Sequence, residues 1–331
     1  MPNRSFRAVS TRRRTLAMLA ALWAASPFAG AQDAYPSRPL RMVVGFSAGG
    51  PADVVARIVA NKLKEFLGQT VIVENRPGAN AVLAADAVAH APADGYTVLY
   101  NTSSFALSAA LSARLPYDPA RDFKGVALTA ESPTVLIVHP SFKARTPKEF
   151  VAEIKQHPGK YSYGSAGNGT ITHVVPLQLL LASGLDAVHV PYKGSAGALT
   201  DLAGGQIQFA VDAMSSALPF IRDGRVRALA VTGRQRQAVL PETPTVSESW
   251  IPGYEASAWQ GVMVHSATPG PVVARLNQAL MQVLASDDVR KQLANLGTET
   301  LGSTPEQYDR FVRAEIARWS QVTRSGKLVI E

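Results

Sequence analysis

The chain contains 331 residues, of which 47% are hydrophobic and 18% charged, the composition of a globular protein. That length allows one large domain or two ordinary ones. The formal net charge of +8 falls to +3 without the five arginines of residues 1–31, and no dense Lys/Arg stripe follows. A nucleic-acid partner is therefore not expected. Cysteine is absent, which excludes a disulfide framework and a lipoprotein-type attachment site.

Residues 1–31 have the three parts of a secretory signal peptide. The basic segment MPNRSFRAVSTRRR precedes the apolar segment TLAMLAALWAASPFAG, and Ala29-Gly30-Ala31 is a small-x-small cleavage signal. The apolar segment is shorter than the roughly 20 residues that span a bilayer. We predict cleavage after Ala31 and a mature, monomeric chain in the periplasm. The Arg12-Arg13 pair leaves the Sec and twin-arginine export routes both open.

From residue 40 the chain alternates strand and helix patterns. LRMVVGF predicts a strand and residues 53–66 a helix. The strand TVIVEN, a helix over 81–90 and the strand YTVLYN follow, the last after an Asp94-Gly95 turn. TVLIVH is a further buried strand. A helix N-terminus is predicted at Thr146-Pro147-Lys148-Glu149, with Thr as the cap, Pro at the first helical position and Glu at the third.

In the second half, KYSYGSAG predicts a strand that runs into a glycine loop, followed by a helix over 172–183. Four short strands come next: AVHVPY, QIQFAV, RALAVT and GVMVH. The C-terminal third is helical, in PVVARLNQALMQVLAS, SDDVRKQLANLG and TPEQYDRFVRAEIARWSQVT. Alternation of this kind predicts an α/β fold with parallel sheets that are covered by helices.

Two features predict two lobes rather than one sheet. A strand, a glycine loop and a helix occur in that order twice, at residues 43–57 and 161–180, and a segment rich in Pro, Gly and Ser spans residues 243–259. We predict lobe 1 over residues 32–134 and 257–331 and lobe 2 over residues 135–256, with two crossings between them.

The first glycine loop, GFSAGGPAD, is a candidate anion site. Gly49 and Gly50 allow a ligand to approach the backbone closely, and Asp53 is predicted at the helix N-cap or in the first turn. A helix N-terminus offers free amides and partial positive charge to an anion. An ordinary tight turn is the equally weighted alternative. The spacing fits neither a Walker loop nor a dinucleotide fingerprint.

The second glycine loop, YGSAGNGTITH, has the same pattern. Ser165, Asn168 and Thr170 bring short hydrogen-bonding side chains to it, and His173 lies in the first turn of the next helix. Ser165 and His173 together suggest an exported hydrolase as the alternative function, although the GxSxG motif is not matched. A histidine at such a position more often caps or packs.

Other candidates are weaker. Asp212 follows an apolar strand and is predicted either to cap a helix or to accept a hydrogen bond from a ligand in a cleft. Lys193 is predicted to be solvated, with ligand contact as the lesser alternative. The six histidines form no HExxH motif or close pair, so neither a metal nor a cofactor is expected.

Ordered sequence blocks resemble one known family over essentially the whole mature chain. The blocks include YPSRPLRMVVGFSAGGPADVVAR, ENRPGAN, PADGYTVLYN, YGSAGNGTITH, HVPYKGSAGALTDLAGGQIQF and LPETPTVSESWIPGYE. They are similar to the Bug-type periplasmic solute receptors of tripartite tricarboxylate transporters. The resemblance implies a two-lobed type II periplasmic-binding-protein fold that closes on a small carboxylated solute. It also implies that membrane permease subunits receive this solute from the receptor.

The resemblance also implies site residues. One jaw would contain Phe46, Ser47, Gly49 and Gly50, and the other Ser165, Asn168 and Thr170. Asp212 would lie close to the cleft, and Ser103 and Ser104 could also reach the ligand.

This chain departs from the family pattern in two loops. Ser47-Ala48 stands where members have two prolines, with Pro51 in place of a serine, and Asn80, Ala81 and Ala84 stand where glycines are usual. We expect carboxylate binding to survive and the cleft to be reshaped. A scaffold or sensor protein remains a third, more distant alternative.

Overall fold

A computed structural model describes residues 35–112 and 114–324 of the chain. The predicted signal peptide and its cleavage site therefore lie outside the described residues. Residues from 36 onward belong to one compact unit. In the described part of the chain, no helix is both long and apolar enough to cross a membrane.

The elements of the described chain alternate for most of its length. The strands are β1 (Leu40–Val44), β2 (Val71–Asn75), β3 (Thr97–Thr102), β4 (Phe123–Val138), β5 (Ser162–Ser165), β6 (Val188–Pro191), β7 (Phe209–Ala213), β8 (Arg227–Val231), β9 (Ser257–His265) and β10 (Glu299–Thr300). The helices are α1 (Pro51–Leu67), α2 (Val82–Ala89), α3 (Ser103–Leu111), α4 (Pro147–Gln156), α5 (Ile171–Ala182), α6 (Ser195–Ala203), α7 (Met214–Arg222), α8 (Val246–Ser249), α9 (Gly270–Ala285), α10 (Asp287–Ala294) and α11 (Pro305–Arg324). A single 3₁₀ turn, Ala79–Ala81, precedes α2.

The first sheet has the strand order β2-β1-β3-β9-β4, with β10 paired to β4. Strand β1 is parallel to β2 and β3, whereas β9 runs antiparallel to both β3 and β4. Four of the five side chains of β1 are buried, as expected for a central strand with helices on both faces. Helices α9 and α11 pack against β4.

The second sheet has the order β4-β7-β5-β6, with β8 also paired to β4. Strand β5 is parallel to β6 and β7, whereas β4 is antiparallel to β7 and β8. Both sheets are therefore mixed, a departure from the predicted parallel sheets. Its cause lies in β4 and β9, which return through the sheets against the direction of their neighbours.

Strand β4 takes part in both sheets. Its residues 123–133 pair with β9, and its residues from Thr134 pair with β7 and from Val135 with β8. The sequence pattern indicated only TVLIVH, the last part of this 16-residue strand. The earlier part was missed because small residues and Lys124 interrupt its apolar pattern. Strand β4 thus connects the two sheets directly.

The strongest helix signals in the sequence are confirmed. The Thr146 hydroxyl accepts a hydrogen bond from the Glu149 amide at 3.2 Å, and Pro147 is the first residue of α4. Helix α1 ends at Gly68, whose φ of 69° lies in the left-handed region that favours glycine. The short helices α3, α6, α7 and α8 were not predicted. In α3 the side chains of residues 103–108 are all buried, so it has no polar stripe to mark its period.

Candidate functional site

A buried cavity of about 40 Å³ lies where several connections from strand to helix meet. We call it the inner chamber. Its lining residues are Phe46, Pro51, Ala52, Thr102, Ser103, Ser104, Ala166, Thr170, Ile171, Thr172, Ser195, Ala213, Ala258 and Gln260. None of these described lining residues is acidic or basic, so any charge that enters must be stabilised by dipoles.

Helix N-termini supply those dipoles. The lining includes the first residues of α1 (Pro51 and Ala52), of α3 (Ser103 and Ser104) and of α6 (Ser195). It also includes Thr170 and Ala213, the N-cap residues of α5 and α7. Each N-terminus carries unpaired amides and a partial positive charge. Their convergence favours an anion in the chamber.

Two buried polar side chains of the chamber lack partners. Ser103 is 1% exposed and Gln260 2% exposed. Neither Ser103 Oγ nor Gln260 Oε1 has a hydrogen-bond partner within the described part of the chain. A buried polar atom without a partner is costly, so Ser103 Oγ is suited to an entering acceptor, such as a carboxylate, and Gln260 Oε1 to an entering donor. Gln260 was missed in the sequence because it lies inside β9 and follows no recognisable motif.

Asp212 lies behind the chamber, not among its lining residues. Its Oδ1 accepts hydrogen bonds from Ser195 Oγ at 2.9 Å, Ser216 Oγ at 2.8 Å and the Ala213 amide at 2.7 Å. Burial raises the pKa of Asp212 to about 6, although these hydrogen bonds act in the opposite direction. Because its partners lie at the N-termini of α6 and α7, the geometry matches the helix-capping alternative better than a direct ligand contact.

The first glycine loop uses its amides within the protein. The Gly49 amide donates to Asp53 Oδ2 at 3.0 Å, and the Gly50 amide donates to Ser47 O at 3.3 Å. Neither glycine lines the inner chamber. Both amides therefore have partners within the protein, and their contact with a ligand stays a prediction. For Gly49 that partner is itself a carboxylate, Asp53 in the first turn of α1.

Asp53 is well suited to accept this hydrogen bond. Burial raises its pKa, but hydrogen bonds from Arg57, the Gly49 amide and Asn75 outweigh this effect, so the pKa is lowered overall. Asn75 Nδ2 also donates to Phe46 O at 3.0 Å. This network fixes the loop from Phe46 to Asp53, so that Phe46, Pro51 and Ala52 face the chamber.

The inner chamber adjoins a larger groove of about 560 Å³, which we call the outer groove. Phe46 and Ala166 line both spaces. The wall of the outer groove combines apolar side chains, such as Leu111 and Tyr192, with the basic residues Arg114 and Lys193. Asn168, a predicted site residue, also lines this groove. Lys193 O accepts a hydrogen bond from Ser47 Oγ at 2.8 Å.

Comparison with known proteins decides the family. Residues 55–328 match the model of the tripartite tricarboxylate transporter family receptor. The chain belongs to this receptor family.

Relatives of this receptor agree in sequence and in structure. BugT of Bordetella pertussis is 36% identical over 294 residues, which cover 88% of this chain and 90% of BugT. The structure of R. palustris Rpa4515 with adipate is 35% identical with a TM-score of 0.85, over 88% of this chain and 97% of that one. MatC of Rhodopseudomonas palustris with bound malate is 35% identical with a TM-score of 0.82, over 87% and 99%.

These likenesses confirm the predicted fold class, the two-lobed α/β fold of periplasmic binding proteins, and a solute-binding receptor function. The alternative of a hydrolase is not supported. Ser165 Oγ lies 2.7 Å from His189 Nε2, not beside His173, and Ser165 is fully buried. His173 Nδ1 accepts from the Gly169 amide at 3.1 Å, and its ring stacks on His189 with centroids 3.8 Å apart. His173 therefore caps and packs in this receptor.

The other two residues predicted in the second glycine loop, Thr170 and Ser165, differ in whether they line the chamber. Thr170 is buried and lines the inner chamber, and its Oγ1 donates to Gly167 O at 2.7 Å. Ser165 lines neither the chamber nor the outer groove; it supports the loop because its Oγ accepts from the Gly167 amide at 3.1 Å. Ser103 and Ser104 both line the chamber, and their contact with a ligand stays a prediction.

Proposed function

We propose that this receptor captures a small carboxylated solute in the periplasm and holds one carboxylate in the inner chamber. The observation that carries this proposal is the convergence of five helix N-termini, with the unpartnered hydroxyl donor Ser103 Oγ, on one chamber. Carboxylates are bound in this manner by backbone dipoles and short donors without a paired cation. The adipate and malate bound by two relatives are of the same chemical class.

The sizes of the two spaces support a division of the solute between them. A cavity of about 40 Å³ has room for a carboxylate and little more. The remainder of the solute would pass Phe46 and Ala166 into the outer groove. There the aliphatic and aromatic walls would contact its carbon skeleton, and Arg114 and Lys193 would favour a second anionic group.

We further propose that binding closes two lobes, residues 32–134 with 257–331 as lobe 1 and residues 135–256 as lobe 2. The change of partner along β4, from β9 to β7 at Thr134, supports this division. Strands β4 and β9 would carry the hinge, since β4 passes from one sheet to the other at Thr134 and β9 begins opposite Pro133. Hinges of a few residues at the ends of elements are typical of such closures.

The solute would leave unchanged. Membrane permease subunits of a tripartite transporter would receive it from the closed, monomeric receptor, as the family description implies. Ser165 is fully buried and lines neither the inner chamber nor the outer groove, which supports binding without turnover.

Calorimetry with matched acids and amides tests this proposal. Adipate and malate should release heat on binding, whereas adipamide and malamide, which keep the skeletons without the charge, should not bind. Helix dipoles and hydroxyl donors favour the anion over the neutral amide. Amides that bind as tightly as their acids would overturn the proposal.

A further inference from the structure

The loop between β2 and α2 has an unusual backbone. Ala79, Asn80 and Ala81 have φ values of 48°, 53° and 68°, in the left-handed region that non-glycine residues seldom adopt. Three such residues in succession are unfavourable unless other contacts hold them. Asparagine tolerates this conformation better than most residues. Its backbone preference does not by itself explain the contacts of its side chain.

The Asn80 side chain makes two hydrogen bonds. Its Nδ2 donates to Ser108 Oγ at 2.9 Å and to Gly169 O at 3.0 Å. Ser108 Oγ in turn donates to Asn80 O at 3.2 Å. Because a carbonyl oxygen only accepts, the bond to Gly169 fixes which end of the amide faces the second glycine loop.

These bonds join the two proposed lobes. Asn80 and Ser108 belong to lobe 1, whereas Gly169 lies in lobe 2, next to Thr170 of the inner chamber. Within lobe 2, Ser165 and His173 bind the amides of this loop, whereas the Gly169 carbonyl accepts its bond from Asn80. An external bond to the Gly169 carbonyl therefore restricts the part of lobe 2 that lines the chamber.

We propose that Asn80 is a positioning residue of the solute site. Its amide ties the second glycine loop to lobe 1, so that the chamber is set in its binding geometry before the solute arrives. Preorganisation of this kind strengthens binding because less order must be created on association. The proposal rests on the proposed function where it concerns solute affinity; the tie itself does not depend on the solute.

The chain offers matched variants for a test. Asn80→Gly removes the side chain and relieves the backbone, since glycine adopts positive φ freely, so misfolding does not confound it. Ser108→Ala is the control, because it removes a bond of the same amide inside lobe 1 and leaves the bond to Gly169. Asn80→Asp keeps the size and places an oxygen against the Gly169 carbonyl.

The measurement is the distance between two nitroxide labels in the solute-free protein, by double electron–electron resonance. The chain contains no cysteine, so Ile72→Cys on β2 and Val188→Cys on β6, at positions 51% and 52% exposed, are labelled uniquely. We expect a narrow distribution for the parent and for Ser108→Ala, and a broader, shifted one for Asn80→Gly. Adipate should restore the narrow distribution to Asn80→Gly.

Adipate affinity provides the second readout. Loss of one neutral hydrogen bond should weaken binding roughly two- to tenfold in Asn80→Gly, through faster dissociation, and more in Asn80→Asp. An Asn80→Gly distribution identical to that of the parent without solute would overturn the proposal. So would an equal effect of Ser108→Ala, since local support within lobe 1 would then explain the result. The solute-free comparison decides the matter whether or not adipate binds, so its failure is distinct from a failure of the proposed function.

Discussion

At the residue scale, the two glycine loops differ in what their amides bind. In the first loop, the Asp53 carboxylate takes the Gly49 amide and is itself held by Arg57 and Asn75. The loop is thus rigid and presents Phe46 and the start of α1 to the chamber. In the second loop, hydroxyl and imidazole groups hold the amides of Gly167 and Gly169. Neutral partners of this kind leave the positive potential near the chamber intact.

The two adjacent glycines should respond differently to substitution. Gly49 has a φ of 79°, whereas Gly50 has a φ of −79°, which any residue adopts. Gly49→Ala should lower the free energy of unfolding by about 1–2 kcal/mol. Gly50→Ala should cost less, since its Cβ would meet only Ser47 O at 3.3 Å. Urea unfolding of both variants measures the difference, and equal losses would show that conformation is not the reason for glycine at position 49.

Single hydroxyl groups of the chamber should contribute modestly to binding. Ser103→Ala removes one donor beside several remaining helix N-termini, and Thr170→Ala removes a hydroxyl that already donates to Gly167 O. A neutral hydrogen bond contributes about 0.5–1.5 kcal/mol, so each variant should bind solute no more than about tenfold more weakly. Calorimetry measures this effect, with Ser141→Ala on the surface as the control. Complete loss of binding in Ser103→Ala would instead indicate that one hydroxyl dominates recognition.

At the scale of elements, the site is assembled from helices that begin directly after strands. Helices α3 and α7 follow β3 and β7 without an intervening loop, and their N-termini meet those of α1, α5 and α6. Asp212 and its serine partners hold α6 and α7 in this arrangement. Behind the second glycine loop, the stacked rings of His173 and His189 connect α5 to β6.

Anion affinity should increase at lower pH because of Asp212. Burial raises its pKa to about 6, so the carboxyl is ionised at pH 8 and largely neutral at pH 5. Its negative charge beside α6 and α7 opposes an anion in the chamber, and protonation removes that opposition. Adipate titrations at both pH values should show tighter binding at the lower one, and Asp212→Asn should flatten the dependence. Weaker binding of the parent at pH 5 would contradict this explanation.

The stacked histidines should make the folded protein less stable as the pH falls. Burial lowers the pKa of His173 and of His189 to about 4, against 6.5 for the ordinary side chain. Between these values the unfolded chain binds more protons, so their contribution to stability is complete above pH 6.5 and is lost as pH falls toward 4.

Thermal unfolding at pH 7.5 and pH 5 tests this contribution. The decrease in Tm between the two values should be smaller in His189→Phe, which keeps an aromatic ring and cannot bind a proton. His90→Asn, at an exposed position, is the control and should retain the full decrease. An unchanged decrease in His189→Phe would contradict the assignment.

The sequence predicted long, amphipathic or clearly capped elements, and it predicted the short polar residues that follow strands, such as Ser103, Ser104 and Thr170. It did not predict α3, because a nine-residue helix that is mostly buried has no polar period, nor α6 and α7, which are equally short. Nor did it predict that Asp53 would accept the hydrogen bond of the Gly49 amide. The loop motif is the same whether the amide binds a carboxylate of the protein or one of a ligand. The position of Gln260 in the chamber could not be predicted either, because it depends on how β9 packs.

At the scale of the whole molecule, the receptor is built around β4 and β9, which pair with each other in the first sheet. Strand β4 continues into the second sheet, and its register shifts between Gly125 and Ala127 and again between Leu128 and Ala130. Such irregularities bend a strand locally. A solute that contacts elements of both sheets would bias the angle between them, as binding to one conformation shifts its population.

Closure should be visible in solution as a change of size. Solute-bound receptor should have a smaller radius of gyration by small-angle scattering than the free protein. The decrease should be larger in Asn80→Gly, whose free form lacks one tie between the proposed lobes. Ligand should also raise Tm with its concentration, because it binds only the folded state. Identical scattering curves with and without a solute proven to bind would argue against a hinge.

The central claim is that the inner chamber holds a carboxylate by dipoles alone, and mass spectrometry of released solute tests it most directly. The purified receptor is incubated with a pool of metabolic acids, amides and amines, washed and denatured. We expect release of a carboxylic acid from the parent and from the surface variant Gln206→Glu. We expect none from Gln260→Glu, which adds a competing negative charge to the chamber with little change in volume. A neutral or cationic solute from the parent, or the same acid retained by Gln260→Glu, would contradict it.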